Sequence, residues 1–267
     1  MFPYGPAWLF CPGDRPDRFP KALARADVLI LDLEDAVSDA RKGAARAALL
    51  SLDIDPDRVV VRINARDSGH QADDLAVLRR TTVQRIMVPK AERPNDLEHL
   101  DEYELVPLCE TAGGVLNAAQ LAAMPGVWGL MWGAEDLVST MGGTRSRDTI
   151  GKYYDFARYA RSHVLLAARA AKVHALDSVH IDLEDTEGLQ TEAIQGADSG
   201  FSGKACIHPG QVEFVRAAYR PKPHLVAWAR EVLEAGRGGG AARVGSQMID
   251  GPLILQAEHI LAAALRP

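Results

Sequence analysis

Eight short apolar runs, separated by helix-like stretches, constrain this chain more than any other feature. They are Trp8–Cys11, Val28–Leu33, Val59–Ile63, Arg85–Val88, Leu105–Cys109, Val127–Trp132, Val173–Val179 and Lys204–Ile207. Each is continuous and often β-branched, as strands buried on both faces are. Helical stretches lie between them at about Asp17–Ala26, Ala40–Leu50, Gln71–Arg80, Asn95–Leu100, Val115–Met124, Lys152–Ala171 and Thr186–Asp198. Eight strands alternating with helices predict an α/β fold, the (β/α)8 TIM barrel. The competing arrangement is a doubly wound open sheet, but no glycine-rich dinucleotide fingerprint follows the first strand. With 267 residues, 47% apolar, the chain can bury the core a barrel needs.

In such a barrel, the loops after the strands build one face, where sites are made. The residues that follow the runs are uneven in kind. The first gives Pro12-Gly13-Asp14-Arg15 and the second Asp32, Glu34 and Asp35. The third gives Arg62 and Asn64, the fourth Lys90, the fifth Glu110, the sixth Glu135-Asp136, the seventh Asp177 and the eighth His208. Almost every strand ends in a charged or hydrogen-bonding group, while the opposite ends carry no comparable set. Glu110 and Asp136 each follow a buried run, and an acid there is costly unless a cation offsets its desolvation. Mg²⁺ takes oxygen ligands and keeps several waters, so these two carboxylates suffice to hold one ion. Arg62, on a rigid strand, is suited to clamp a substrate carboxylate by paired hydrogen bonds.

The bland alternatives are specific. Glu110 and Asp136 could cap helices or form salt bridges, and Arg62 could be a structural partner of the acids around Asp32. Glu34 and Asp35 read equally as holders of metal-bound water or as partners of Arg62 and Lys90. Lys90 has no assigned neighbour to lower its pKa for Schiff-base work. His208 reads as a packed, hydrogen-bonded residue more than as a base. The arginines at 158, 161 and 169 read as a solvated helix face.

The formal net charge of −6 argues against nucleic acid as a partner. No apolar stretch is long enough to span a bilayer, and no signal peptide is visible. Cys11, Cys109 and Cys206 are odd in number and far apart, which fits core thiols in a reducing cytoplasm rather than a disulfide framework. After two further helical stretches, Gly210–Tyr219 and Pro223–Ala235, the sequence GRGGGAARVGSQMID breaks the pattern. A hinged or mobile Gly236–Gly245 followed by a helix at Pro252–Leu265 is expected. The division is therefore a barrel over 1–235 and a lid with its helix over 236–267, the latter docking on its own barrel or on a neighbouring subunit.

Eight pieces of the sequence, in order, carry a resemblance: LFCPGDRPDRFPKAL, VLILDLEDAV, VRIN, IMVPKAE, CETAGGVLN, WGAEDL, CIHPGQ and MIDGP. Together they resemble the HpcH/HpaI aldolase and citrate lyase β-subunit (CitE-like) family, which includes malyl-CoA and other β-hydroxyacyl-CoA lyases. The resemblance implies a TIM barrel that binds Mg²⁺ through Glu110 and Asp136, with Arg62 on the carboxylate or oxo group of a small substrate. It places CoA handling on Phe10, Arg15 and Lys21, and an acid/base on Asp250 in the lid, often contributed by a neighbouring subunit. Asp250 could instead cap the helix that follows it. The backbone around Ile207 and His208 is a further substrate contact that the resemblance implies. A homotrimer or hexamer is implied too.

The activity expected on this basis is a Mg²⁺-dependent carbon–carbon lyase. Its substrate is a carboxylate-bearing 3-hydroxyacyl-CoA of malyl-, citramalyl-, citryl- or hydroxymethylglutaryl-CoA type. Two alternatives stay open: a pyruvate-type aldolase on free hydroxy-oxo acids, and a carrier-dependent citrate lyase β-like subunit.

Overall fold

The structure, a computed structural model, describes residues 4–51, 55–237 and 242–265. Eight parallel strands close into a barrel in chain order: β1 (Ala7–Pro12), β2 (Val28–Asp32), β3 (Val59–Arg62), β4 (Arg85–Val88), β5 (Glu104–Cys109), β6 (Gly129–Trp132), β7 (His174–Asp177) and β8 (Gly203–Cys206). β8 pairs with β1, so the barrel has no open edge. Alternation along the strands sorts their side chains. Trp8, Val28, Ile30, Val60, Met87, Val106, Leu108, Met131, Leu176 and Ala205 fill the interior. Residues of the other parity, such as Leu29 and Leu31, are equally buried but face the surrounding helices.

The jacket contains α1 (Phe19–Arg25), α2 (Lys42–Leu49), α3 (Gln71–Leu78), α4 (Ala112–Leu116), α5 (Ala118–Ala122), α6 (Ala134–Thr140), α7 (Asp155–Ala170) and α8 (Thr186–Ser199). The helix expected at Asn95–Leu100 is instead two 3₁₀ turns, Pro94–Asp96 and Glu98–Leu100. The Asp96 carboxylate accepts from the Glu92 and Arg93 N–H groups, at 3.0 and 2.9 Å, and ties the first turn back onto the chain ahead of it. α6 was not expected as a separate helix; Gly133 opens it and its first turn holds Glu135 and Asp136.

Outside the barrel lies a buried charge network that corrects two expectations. Asp177 belongs to the outward parity, away from the rim. It accepts from Trp132 Nε1 (2.8 Å) and pairs with Arg161 (2.8 Å). Arg161 is therefore no member of a solvated face: α7 turns it inward to meet this acid, while Arg158 stays exposed and pairs with Asp155. Lys204, fully buried, lies 3.6 Å from Asp177 and 3.3 Å from Glu192 of α8, and Arg147 holds Glu192 at 2.8 Å. Cations outweigh burial at Asp177, and the His180 ring, 3.2 Å from Glu192, together with Lys204 and Arg147 does so at Glu192, so both acids lie below the usual carboxylate range.

The chain forms two compact units, residues 1–215 and 216–267. The second therefore begins ahead of the glycine segment. In it, α10 (Pro223–Gly236) packs on α11 (Gly251–Ala264) around Ala229, Val232, Ile249 and Ala257. α9 (Val212–Tyr219) runs across the division. Of the segment expected to be mobile, residues 238–241 lie outside the described residues. Its flanks are ordered: Gly236 closes α10, and β9 (Ala242–Val244) pairs antiparallel with β10 (Gln247–Ile249). Gly245, at φ +58°, makes the tight turn between them. Among the described residues no helix is long and apolar enough to cross a membrane.

Candidate active site

The interior parity of β2, β3 and β5 continues past the hydrophobic plug into a charged layer at the C-terminal rim. Asp32 and Arg62 are register partners on β2 and β3. That adjacency gives a two-point ion pair, Nε to Oδ1 at 2.8 Å and Nη2 to Oδ2 at 2.6 Å. The guanidinium lies over the Phe10 ring, 5.1 Å from its centre. Burial works against the charge of Arg62, but Asp32 and Glu34 outweigh it and raise its pKa.

Glu34 sits on the loop after β2. Lys42, buried on α2, braces that loop by donating to the carbonyls of Leu33, Glu34 and Val37. Lys90 Nζ donates to Glu34 Oε1 at 2.6 Å. Arg62 Nη1 is 3.1 Å from Glu34 Oε2, but the angle is poor and this buried oxygen has no hydrogen-bond donor. Burial raises the Glu34 pKa; Arg62 and Lys90 oppose it. Asp35 is exposed and 3.6 Å from Lys90.

Glu110 follows β5 and is 1% exposed. Its Oε1 accepts from the Lys90 backbone N–H at 3.0 Å. Gly133 makes room for it, since a Cβ there would stand 2.8 Å from Glu110 Cβ. Burial first, then the negative charges of Asp136 and Glu34, push its pKa up to about 8. Asp136 is half-buried in the first turn of α6. Its neighbour Glu135 turns away to Ser146 (2.7 Å) and Arg147 (2.9 Å). The Asp136 carboxylate, by contrast, makes no hydrogen bond or ion pair with a side chain or loop backbone among the described residues.

This donor set fits a hard cation. It is all oxygen, it gathers negative charge at a buried carboxylate, and one buried carboxylate oxygen lacks a donor. No group of three or more His, Cys, Asp or Glu side chains is arranged as metal ligands among the described residues. Two protein ligands with water and substrate in the other positions are the usual arrangement for Mg²⁺. A polar groove of about 750 Å³ lies on the Glu34 and Lys90 side of the rim, with Glu34, Asp35, Asn64, Lys90, Glu92 and Thr111 in its wall; Arg62, Glu110 and Asp136 do not line it.

Other sequence candidates fall elsewhere. Arg15 is half-exposed and pairs with Asp17 at 3.0 Å, in the 3₁₀ turn ahead of α1; Lys21 is exposed on that helix. Asn64 is tied to Asp74 and to the Leu33 carbonyl. His208 is exposed and caps the turn after β8, where Nδ1 accepts from Gly210 N–H at 3.1 Å. Gln211 Oε1 in turn accepts from Ile207 N–H at 2.9 Å, and Ile207 is 40% exposed. Asp250 is the N-cap of α11, accepting from Leu253 N–H at 3.5 Å. Lys42 and Gly133 were not singled out by the sequence. The Gly between Trp132 and Ala134 was visible, but its clearance for Glu110 needs a neighbouring strand to be seen.

A closed parallel barrel with an arginine and acids gathered at its C-terminal rim defines a TIM-barrel protein with an oxygen-ligand site. The chain belongs to the HpcH/HpaI aldolase/citrate lyase family, whose profile matches residues 7–209. It is 51% identical over 261 residues to a citrate lyase subunit beta-like protein of Mycobacterium tuberculosis, covering 97% of this chain and 96% of that one. It is 30% identical over 293 residues to the human mitochondrial citramalyl-CoA lyase, covering 97% and 85%. The crystal structure of CitE from Mycobacterium tuberculosis with magnesium, acetoacetate and coenzyme A superposes with a TM-score of 0.95. That match is at 50% identity and covers 99% of each chain.

Proposed function

We propose that this protein is a Mg²⁺-dependent carbon–carbon lyase. It cleaves a carboxylate-bearing 3-hydroxyacyl-CoA of malyl-, citramalyl-, citryl- or hydroxymethylglutaryl-CoA type to acetyl-CoA, or a relative, plus an oxo acid. The observation that carries this reading is the buried Glu110 carboxyl, raised to about 8 beside Asp136, on the same rim as a rigidly held arginine. The magnesium, acetoacetate and coenzyme A of the related crystal structure support it.

Glu110 and Asp136 would hold the ion. Bound there, Mg²⁺ supplies Lewis-acid stabilisation of negative charge developing on substrate oxygens. Arg62, fixed by Asp32 and resting on Phe10, uses its remaining N–H groups to hold the carboxylate end of the oxo acid. Arg15 and Lys21 take CoA phosphate; the exposed Arg15–Asp17 pair exchanges at little cost. The peptide at Ile207-His208 contributes substrate contacts. Cleavage breaks the bond between the hydroxyl carbon and the thioester α-carbon; the hydroxyl proton passes to solvent, Asp250 protonates the α-carbon, and Asp250 regains a proton from solvent. We place residues 236–267 as a lid acting on a neighbouring barrel in a homotrimer or hexamer, in the cytoplasm. Mixing Asp250→Ala chains with Glu110→Gln chains tests this: restored turnover is expected, and none would mean that Asp250 acts within its own chain or only caps α11.

A panel of acyl-CoA thioesters and the matching free acids, with and without Mg²⁺, tests the activity. Mg²⁺-dependent cleavage of a thioester by the purified chain alone is expected. Cleavage of free hydroxy-oxo acids only would favour a pyruvate-type aldolase. Activity only with an added acyl carrier would make the chain a citrate lyase β-like subunit.

The raised Glu110 also sets a pH dependence. Its folded pKa of about 8 exceeds the ordinary 4.5, so its contribution to stability is complete below the ordinary value and lost as pH rises through about 8. Mg²⁺ offsets the ionised carboxylate. Its effect on Tm should therefore be larger at about pH 9 than at about pH 6. A thermal melt series checks this, and an effect of equal size at both would count against Glu110 as a ligand.

A further inference from the structure

Two sequence pieces, PKAE and ETAGG, meet in the structure in a way that neither the barrel nor the metal reading requires. Lys90 has φ +52°, in the left-handed region that residues with a Cβ rarely adopt. The other such residue among the described ones, Lys172, follows the end of α7, where this conformation is ordinary. Lys90 instead lies just past β4, behind Pro89, and such a conformation persists only where its surroundings fix it.

The surroundings come from the chain after β5. Asn117 Nδ2 donates to the Glu92 carbonyl at 2.8 Å. A Cβ on Gly113 would stand 2.9 Å from Glu92 Cδ, and one on Gly114 would run into the Ala91 carbonyl oxygen. Thr111 Oγ1 accepts from the Gly114 N–H at 3.0 Å and fixes the start of α4 beneath the turn. The paired glycines thus let the β4 turn lie directly on the β5 turn. In that position the Lys90 N–H reaches Glu110 Oε1 at 3.0 Å, and its Nζ reaches Glu34 at 2.6 Å.

We propose that the Pro89–Glu92 turn is the positioning element for Glu110. The left-handed backbone of Lys90 aims its amide at the carboxylate and fixes the direction of that carboxylate. The inference rests on the reading of Glu110 as a metal ligand. The amide is the working group for the metal site, while the ammonium serves Glu34. Partners that orient a metal-binding carboxylate are worth about 10- to 100-fold in metal affinity.

The test is titration calorimetry of the metal-free full-length chain with Mg²⁺, well below Tm, alongside thermal melts. Lys90→Gly keeps the amide and favours the left-handed backbone, so its Mg²⁺ Kd should stay within about threefold of the parent. Lys90→Val disfavours that backbone, and Gly114→Ala pushes the turn off its seat; each should weaken Mg²⁺ by about tenfold or more. The two act from different segments, the turn after β4 and helix α4, so one remains informative if the other fails to fold. A purely structural role would lower Tm and leave Kd unchanged, and that result overturns the proposal. So does a Lys90→Gly loss as large as that of Lys90→Val, because the ammonium would then be the working group. Glu110→Gln separates the two levels. Mg²⁺ binding that survives it defeats the metal reading itself. Loss there, with parent-like Kd in Lys90→Val and Gly114→Ala, defeats only this inference.

Discussion

Glu110→Gln should lose Mg²⁺ affinity by about two orders of magnitude or more, and lyase turnover with it, while the protein becomes more stable. The two effects share one cause. The carboxylate is buried and faces the charges of Asp136 and Glu34, which is why its pKa stands near 8. A neutral amide of the same shape removes that repulsion and also removes the ligand. Above about pH 8 the relief is on the order of a few kcal/mol, from the size of the pKa displacement. Calorimetry with Mg²⁺ and a thermal melt on the same preparation check both halves. Near-normal metal binding would refute the assignment, and a fall in Tm would refute the electrostatic account of the site.

Arg62→Ala should abolish turnover and destabilise the fold by about 3–5 kcal/mol, because it strands buried acids without their cation. Asp32 loses both of its guanidinium bonds and Glu34 loses an ion pair at 3.1 Å. A second change discriminates between a structural and a catalytic arginine. Adding Asp32→Asn to Arg62→Ala removes the stranded charge, so much of the stability should return while turnover does not. If turnover returned with stability, Arg62 would be a structural partner of Asp32 and not a substrate clamp. Denaturant unfolding and steady-state kinetics on the two variants give the answer.

How far the sequence discloses this molecule depends on how local each cause is. Strand burial leaves a run of apolar residues, so all eight barrel strands were legible, with ends displaced by a residue or two. Glu110, Asp136 and Arg62 were legible because an ionisable group at the end of such a run demands a reason. Asp177 looked identical by that criterion, yet it faces the helices. One residue of parity decides between rim and jacket, and the apolar run before it does not reveal which parity points inward. Arg161 was misjudged for a related reason: its partner lies on a strand and its helix neighbours do not announce it. Two 3₁₀ turns stand after β4 where a helix was expected, with the Asp96 carboxylate bound to the Glu92 and Arg93 N–H groups. The left-handed turn at Lys90 depended on glycines more than twenty residues away in sequence. Neither is a property of a short stretch read alone.

The three cysteines give the fold a chemical clock. Cys11, Cys109 and Cys206 are all buried. Burial pushes the Cys11 thiol up to about 11 and the Cys109 thiol up to about 12. The thiolate is the reactive species, so alkylating agents and mild oxidants react slowly with these two while the barrel is closed. Label at Cys11 or Cys109 therefore reports mainly molecules whose barrel has opened. Cys109 directly precedes Glu110, which makes the rate of its alkylation a running count of how often the strand behind that carboxylate comes apart.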